Sequence, residues 1–326
     1  MAKINQFLRF EPILKQKIWG GNKLTSILNK KSDLENLGES WEVSGVENEV
    51  SVVSNGVLKG ESLDQLIKTY SSDFVGDKVY QQFGEKFPLL IKFIDAKTDL
   101  SIQVHPNDIQ AKEKHNSLGK TEMWYVTQAD KNASLIVGFK KDTTEEEYVK
   151  HLNDNSLLEI LNVDKVQEGD VYFIPAGRVH AIGAGVMVAE IQETSDVTYR
   201  IYDWQRTDSE GNFRELHTKD ALQVIDFKPK KNYKTNYDVL KNDVSSLVDC
   251  KYFTTNFLKL DKLFSVNHNT KDSFVVYMCV KGNAVFESDF SKEMIEKGET
   301  LVVPACLKEF IIKPLGDVEL LEVYIK

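Results

Sequence analysis

Short apolar runs, broken by Gly, Pro, Asn or Asp, recur along almost the whole chain. They are rich in Val, Ile, Phe and Tyr, which is typical of β-strands. In the first two thirds of the chain, strands are predicted for residues 51–58, 87–95, 100–106, 122–129, 134–139, 171–176 and 186–194. In the last third they are predicted for residues 252–260, 273–280, 283–288, 300–305, 309–314 and 318–325. This pattern predicts a mainly β protein built as a sandwich or barrel.

Helical periodicity, with apolar residues three and four positions apart, is confined to a few stretches. In residues 61–76 it places on one face Leu63, Leu66, Ile67 and Tyr70. Residues 143–162 predict one or two helices, with Thr143 or Thr144 as the N-cap ahead of several acidic residues. Shorter helices are predicted for residues 107–117 and 218–225.

A weak internal repeat suggests that the chain contains two similar units. "EGDVYFIPAGRVHAI" aligns with "KGETLVVPACLKEFII" at a constant offset of 129, which places Pro175 on Pro304 and His180 on Glu309. We therefore predict two β-barrel units, residues 1–235 with a helical insertion near 141–163, and residues 236–326. A polar, lysine-rich stretch around residues 225–245 joins them. The alternative is that two strand–turn–strand segments are similar by chance.

Charge and composition narrow the range of partners. A net charge of -9 argues against nucleic acid as the main partner, although a small phosphorylated compound needs only a few local cations. The three cysteines form no Cys-x-x-Cys pair, so neither a disulfide framework nor a thiolate zinc cluster is indicated. The sequence shows no signal peptide and no apolar run of membrane-spanning length. We expect a cytoplasmic protein that does not bind membranes and is a monomer or a weak homo-oligomer.

Two of the six histidines, His105 and His180, lie in apolar strand contexts. Gln103 is two positions before His105, so both side chains share one face of a strand, and Glu122 opens the next predicted strand. Zinc and similar ions take neutral imidazoles and carboxylates brought together from different strands. By spacing alone, a metal site and ordinary buried histidines are equally good interpretations.

Several sequence motifs resemble those of a known family. The segment "GDVYFIPAGRVH" fits the second cupin motif, G-x5-P-x-G-x2-H, at Gly169, Pro175, Gly177 and His180. The first cupin motif is only partly present, with Gln-x-His in place of His-x-His and its glutamate displaced. That departure resembles the type I mannose-6-phosphate isomerases of the short bacterial branch, as do "KIWGG", "GESWEVSG", "LSIQVHPND", "GKTEMWYV" and "VAEIQETSDVTYRIYDWQR". The resemblance is strong for residues 11–220 and continues to the C-terminus as a second, metal-free cupin unit.

The resemblance implies an enzyme with one zinc ion per chain that interconverts mannose 6-phosphate and fructose 6-phosphate through an enediolate. It implies four metal ligands, Gln103, His105, Glu122 and His180. It implies catalytic roles for Arg200, Lys120 and Asp196. A histidine in the signature of the longer eukaryotic branch has no counterpart here, since only Lys120 and Glu122 match that signature.

Some assignments stay open at this level. The general base is Asp196, Glu190 or a hydroxide on the zinc. Lys97 and Ser101 flank the "SIQVH" strand and are candidates, with Glu190, for binding the substrate. Two other functions remain: an iron or manganese cupin dioxygenase, and a cupin that binds a sugar phosphate without turnover. The glutamine in place of the first histidine counts against a dioxygenase.

Overall fold

A computed structural model describes residues 4–207 and 210–326. The strands of the first unit are β1 (Ile13–Gly21), β2 (Leu37–Val43), β3 (Gly45–Val46), β4 (Glu49–Val50), β5 (Leu89–Ala96), β6 (Ile102–Val104), β7 (Glu122–Ala129), β8 (Ser134–Phe139), β9 (Leu161–Lys165), β10 (Val171–Ile174), β11 (His180–Ile182), β12 (Val186–Glu193), β13 (Tyr199–Tyr202) and β14 (Lys234–Thr235).

The strands of the second unit are β15 (Val244–Asp249), β16 (Thr254–Leu260), β17 (Phe264–Asn267), β18 (Val275–Lys281), β19 (Asn283–Glu287), β20 (Lys292–Glu296), β21 (Thr300–Val303), β22 (Glu309–Pro314) and β23 (Val318–Tyr324). The helices are α1 (Lys23–Ser26), α2 (Leu63–Val75), α3 (Asp77–Phe83), α4 (Asp108–His115), α5 (Glu145–Asn153) and α6 (Thr218–Leu222), with a 3-10 turn at Leu157–Glu159. None of the described helices is long and apolar enough to span a membrane.

Each unit contains a large and a small antiparallel sheet that face each other, and in the first unit β3 and β4 form a further two-stranded sheet. In the first unit the large sheet has the order β1-β2-β5-β12-β7-β10-β14, and the small sheet has the order β13-β6-β11-β8-β9. In the second unit the orders are β15-β16-β23-β18-β21 and β17-β22-β19-β20. The mainly β fold with two such units is therefore confirmed.

Side chains alternate between the two faces of every strand, and this alternation separates the cores. Between the sheets of the first unit lies a core that includes Trp124, Val188, Val137 and Ile182. The outer face of its large sheet packs against α2 and against the large sheet of the second unit in one continuous apolar cluster. The outer face of its small sheet is covered by α5, the 3-10 turn and α6.

The N-terminal segment joins the second unit. Phe7 lies in the apolar core between the two sheets of that unit, where its ring meets Phe286 and Phe310 edge-on. Leu8 pairs with Val302 through two backbone hydrogen bonds of 2.9 and 2.8 Å. Phe7 and Leu8 therefore attach the start of the first unit to the second.

The strand and helix predictions are mostly confirmed, with two corrections. Residues 51–58 form no strand: Val52 and Val53 make isolated bridges, and a turn follows. The predicted helical stretch 143–162 contains α5, capped by Thr144 in a capping box with Glu147, and then the 3-10 turn and the first residues of β9. The strand propensity of "LNVDK" escaped the prediction because it directly follows a helical pattern.

The internal repeat holds through the turn but slips by one residue after it. Gly177 has φ of 84° and its backbone N–H donates to the carbonyl of His105 at 2.9 Å. The aligned Cys306 is not among the described residues with positive φ, so the second turn has a different conformation. After the turn the buried face differs: Glu309, which aligns with His180, is exposed, and Phe310 faces the core of its unit instead.

Candidate metal centre

His180 and Glu122 lie on two strands and His105 lies directly after a third, and the fold brings these three side chains together. His180 opens β11, where its Cα partner on β6 is Gln103, and His105 follows β6 directly. Glu122 opens β7 and faces the same interior from the opposite sheet. One ligand-type atom from each of the three residues lies within 4.8 Å of the others, and all three side chains are buried. The two sheets therefore converge on one point at this end of the first unit.

Backbone carbonyls fix the orientation of both imidazole rings. Nδ1 of His105 lies 3.0 Å from the carbonyl oxygen of Val197, and Nδ1 of His180 lies 2.8 Å from that of Arg178. A carbonyl only accepts, so in each ring Nδ1 carries the proton and Nε2 presents a lone pair. Burial keeps both rings neutral, since it lowers the pKa of His180 to about 4 and that of His105 well below its ordinary value. Both histidines are thus prepared as metal ligands.

Buried acceptor atoms without a hydrogen-bond partner surround the same point. Within the described residues these include His105 Nε2, both carboxylate oxygens of Glu122, and Oε1 of Gln192, which is paired with Glu122 across the sheet. Without a cation, burial and the neighbouring Glu190 raise the pKa of Glu122 to about 8. A divalent ion would satisfy the acceptors and favour the ionised carboxylate. The donor chemistry therefore fits a metal cation.

Gln103 completes the set from the strand beside His180. Its Nε2 lies 3.2 Å from Nε2 of His180. A half turn of the amide exchanges its nitrogen and oxygen at almost no steric cost, which would offer Oε1 as a ligand. Two neutral imidazoles, one neutral amide and one carboxylate would leave a bound divalent ion with a net positive charge.

A row of buried charged side chains lies beside the centre, and one of them, Lys92, was not predicted from the sequence. Lys92 Nζ lies 3.1 Å from Oε1 of Glu190, and Trp124 Nε1 donates to Oε2 of the same carboxylate at 2.8 Å. Burial alone would raise the pKa of Glu190, but Lys92 and Lys120 hold it below its ordinary value. The sequence feature that points to Lys92 is its position within the apolar run "LLIKFID". It lies two positions from both Leu90 and Ile94, so its side chain shares with theirs the core face of β5.

Lys120 and Arg200 supply positive charge near the centre. The ammonium group of Lys120 is buried, 3.5 Å from Oε2 of Glu122. Arg200, on β13, is paired with Gln103 of the neighbouring strand β6, so both side chains project from the same face of the small sheet. Its Nη1 donates to the carbonyl of Glu215 at 2.8 Å, and its Nε has no partner among the described residues. Burial and the nearby Arg214 lower the pKa of Arg200.

A second group of cations, which the sequence did not single out, adjoins Arg200. The carboxylate of Asp203 binds the guanidinium groups of both Arg206 and Arg214. Arg200 adds a third guanidinium group nearby, close enough for the charges of Arg214, Arg206 and Asp203 to act on it. Such an excess of guanidinium charge suits a phosphate group.

Two of the predicted site residues, Lys97 and Asp196, take no part in the contacts described so far. Lys97 is exposed after the far end of β5, where it lines a cavity with Asp95 and Asp130. Asp196 is exposed on the loop between β12 and β13, next to Val197, whose carbonyl binds His105. Ser101 is buried two positions before Gln103 on the same side of the chain. Their roles remain predictions.

A pair of acidic groups, Glu193 and Asp108, lies behind the start of β7. Oε2 of Glu193 accepts from the backbone N–H of Thr121 at 2.8 Å, and Oδ1 of Asp108 accepts from that of Gly119 at 3.2 Å. Burial, together with the adjacent Asp108, raises the pKa of Glu193 to about 8. Because two adjacent carboxylates repel each other, Glu193 keeps its proton at neutral pH.

Because Glu193 is protonated in the folded state, we predict that the stability of the protein depends on pH. Replacing Glu193 by glutamine should remove this contribution. The folded state holds the Glu193 proton up to about pH 8, whereas the unfolded chain releases it near the ordinary value of 4.5. The free energy of unfolding should therefore fall as the pH rises from 5 to 8, by about 2 kcal/mol from this group. We expect Glu193→Gln, a mimic of the neutral acid, to lack this component. Urea unfolding of both metal-free proteins across this range measures it, and the titration of Glu122 largely cancels because both proteins share it. Equal slopes would contradict the prediction.

Comparison with known proteins places these features in a family. A model of the catalytic domain of type I phosphomannose isomerase matches residues 7–134, and a model of the cupin domain of mannose-6-phosphate isomerase matches residues 243–325. The chain is 35% identical to the mannose-6-phosphate isomerase ManA of Bacillus subtilis, over 95% of this chain and 96% of that protein. It is 33% identical to the mannose-6-phosphate isomerase of Streptococcus mutans, over 94% of each chain.

A solved structure supports the same relationship. The crystal structure of the mannose 6-phosphate isomerase from Bacillus subtilis superposes on this chain with a TM-score of 0.88. The superposition covers 98% of this chain and 99% of that one, at 31% sequence identity. Both units are therefore shared with this relative.

Proposed function

The chain belongs to the type I mannose-6-phosphate isomerase family, and on that premise we propose that it interconverts mannose 6-phosphate and fructose 6-phosphate at a zinc centre. In this proposal Gln103, His105, Glu122 and His180 hold the metal. The main support for this proposal is that two oriented imidazoles converge on a buried carboxylate whose oxygens accept no hydrogen bond from the described residues. When bound, zinc would supply a Lewis acid that polarises the oxygens of the reacting carbons.

The proposed reaction moves one proton between neighbouring carbons of the open-chain sugar. A base takes the proton from C2 of the aldose, and negative charge develops on the oxygens of the enediolate. The proton is delivered to C1 while the hydroxyl proton of O2 passes to O1, which gives the ketose. We assign the transfer to Asp196, an exposed carboxylate on the loop that also holds His105 in place. Glu190 suits this role less well, because Lys92 and Trp124 occupy both its oxygens and its pKa is lowered.

Cations stabilise the charge that develops during the transfer. In this proposal Lys120, buried beside Glu122, and Arg200, beside Gln103, donate hydrogen bonds to the enediolate oxygens. Lys120 is buried and Arg200 is anchored by its hydrogen bond to the carbonyl of Glu215, which reduces the reorganisation needed when the charge appears. We assign the phosphate group to the hydroxyl of Ser101 and to the guanidinium groups gathered around Asp203. Glu190 is assigned to orient the substrate through the row of charges it shares with Lys92.

A coupled assay that detects fructose 6-phosphate formed from mannose 6-phosphate tests the function. Turnover by the zinc-loaded protein, absent from a sample treated in the same way without enzyme, is expected. Binding of mannose 6-phosphate without turnover by a zinc-loaded sample would favour a non-catalytic cupin. Stoichiometric iron with little zinc in the purified protein would favour a dioxygenase.

Removal of the metal should abolish the activity reversibly. Since the reaction depends on the Lewis acid that the metal would supply, we expect a chelator that strips the ion to reduce turnover by about 1,000-fold or more. Readdition of one equivalent of zinc should restore it and raise the thermal unfolding temperature, because a ligand that binds only the folded state stabilises it. Activity that survives complete metal removal, measured by mass spectrometry of the metal content, would contradict the zinc assignment.

A further inference from the structure

The turn between β15 and β16 of the second unit reaches the first unit close to the candidate metal centre. The hydroxyl of Tyr252, in this turn, donates to Oδ2 of Asp108 at 3.0 Å. Lys251 approaches the same oxygen at 3.3 Å, but its side chain is 72% exposed, so solvent weakens that ion pair. Tyr252 is half-buried, and burial raises the pKa of its hydroxyl, which therefore stays protonated as a donor.

Asp108 in turn holds the segment that leads into Glu122. Its other oxygen accepts from the backbone N–H of Gly119. A Cβ at Gly119 would lie 2.6 Å from the backbone nitrogen of Asp108, so the segment is pressed against the start of α4. The next N–H, of Lys120, donates to the carbonyl of Pro106 at 3.1 Å, directly after the ligand His105. Residues 119–121 thus connect the two ligand strands.

The third attachment of this segment goes through Glu193. Its carboxyl group accepts from the N–H of Thr121 and faces that of Asp108. Three consecutive backbone N–H groups, of residues 119, 120 and 121, are therefore all bound, two of them by one pair of carboxyl groups. Tyr252 is the half-buried donor from the second unit to this pair. A hydrogen bond to an ionised carboxylate is roughly twice as strong as one between neutral groups.

We propose that Tyr252 is a positioning residue for the metal centre, through which the second unit holds the segment carrying Lys120 and Glu122. The second unit, which the sequence suggested only as a metal-free repeat, thereby acquires a part in the site of the first. This inference rests on the metal centre of the proposed function, and only its kinetic readout rests on the proposed reaction. Hydrogen bonds that orient metal ligands typically change metal affinity by 10- to 100-fold when they are removed.

Tyr252→Phe tests the proposal, because it removes only the hydroxyl. The matched control is Tyr237→Phe, which removes another hydroxyl between the units: Tyr237 donates to the carbonyl of Gly169 at 2.8 Å and has no link to Asp108. We expect zinc affinity, measured by competition with a chelating dye, to fall about tenfold in Tyr252→Phe and less than twofold in Tyr237→Phe. The kcat for mannose 6-phosphate should fall in Tyr252→Phe with KM nearly unchanged, since Lys120 and Glu122 act on the reacting atoms.

A double-mutant cycle separates positioning from general loss of stability. Asp108→Asn keeps an acceptor for Gly119 but turns the other oxygen into a donor that cannot receive the Tyr252 hydroxyl. In this background Tyr252→Phe should change zinc affinity by less than twofold, because the two residues act along one path. Equal zinc affinities of Tyr252→Phe and Tyr237→Phe, or additive losses in the double mutant, would overturn the proposal. The zinc titration decides this even if mannose 6-phosphate proves not to be the substrate.

Discussion

Replacing His180 by alanine is expected to leave a folded protein with neither bound metal nor isomerase activity. His180 is completely buried, and its ring is held by the carbonyl of Arg178 so that Nε2 faces the centre. Alanine removes one of the two imidazoles and leaves a cavity between β6 and β8 that water can enter. The remaining donors would bind zinc much more weakly, so turnover should fall by about 1,000-fold or more.

Metal content and activity must be measured on the same preparations. The wild type should hold about one zinc per chain after loading and dialysis, and His180→Ala should hold almost none. His151→Ala is the matched control, because His151 lies on α5 and bonds only locally, to Ser156. Near-ultraviolet circular dichroism of the metal-free proteins shows whether the core is intact. Stoichiometric metal in a folded His180→Ala protein would remove His180 from the ligand set.

The strands and the turn that carries His180 were predictable because their signals are local. β7 and β8 begin and end where the apolar runs do. The Pro-Gly turn before His180 needs the positive φ of Gly177, which a sequence motif records directly. By contrast, the ion pair of Lys92 with Glu190 joins residues far apart in the sequence. Only the register of β5 against β12 places them side by side.

The second unit also contains features that could not be predicted from local sequence signals. The repeat aligns His180 with Glu309, and both residues open a strand, yet Glu309 is exposed and Phe310 faces the core. A shift of one residue exchanges the two faces of a strand, so an alignment of turns does not determine what faces the interior. The contact of Tyr252 with Asp108 is likewise invisible in the sequence, because it depends on how the two units dock.

Replacing Arg200 by alanine should abolish activity as His180→Ala does, but the metal should be retained. Arg200 projects beside Gln103 but makes its own hydrogen bond to the carbonyl of Glu215, outside the ligand set. Its unpartnered Nε and its fixed charge suit it to stabilise an oxyanion that exists only during the reaction. We expect kcat to fall about 100- to 1,000-fold.

The kinetic pattern distinguishes this role from phosphate binding. Arg206 is anchored by Asp203 and donates to the carbonyl of Asp99 at 2.6 Å, so Arg206→Ala should raise KM and leave kcat nearly unchanged. Arg9→Ala is the remote control, since Arg9 pairs with Glu299 in the second unit. Arg200→Lys should recover part of kcat, because lysine keeps the charge but lacks the planar fork. Loss of zinc from Arg200→Ala would mean that the guanidinium group supports the ligands rather than the transition state, and the assignment of the site would be wrong.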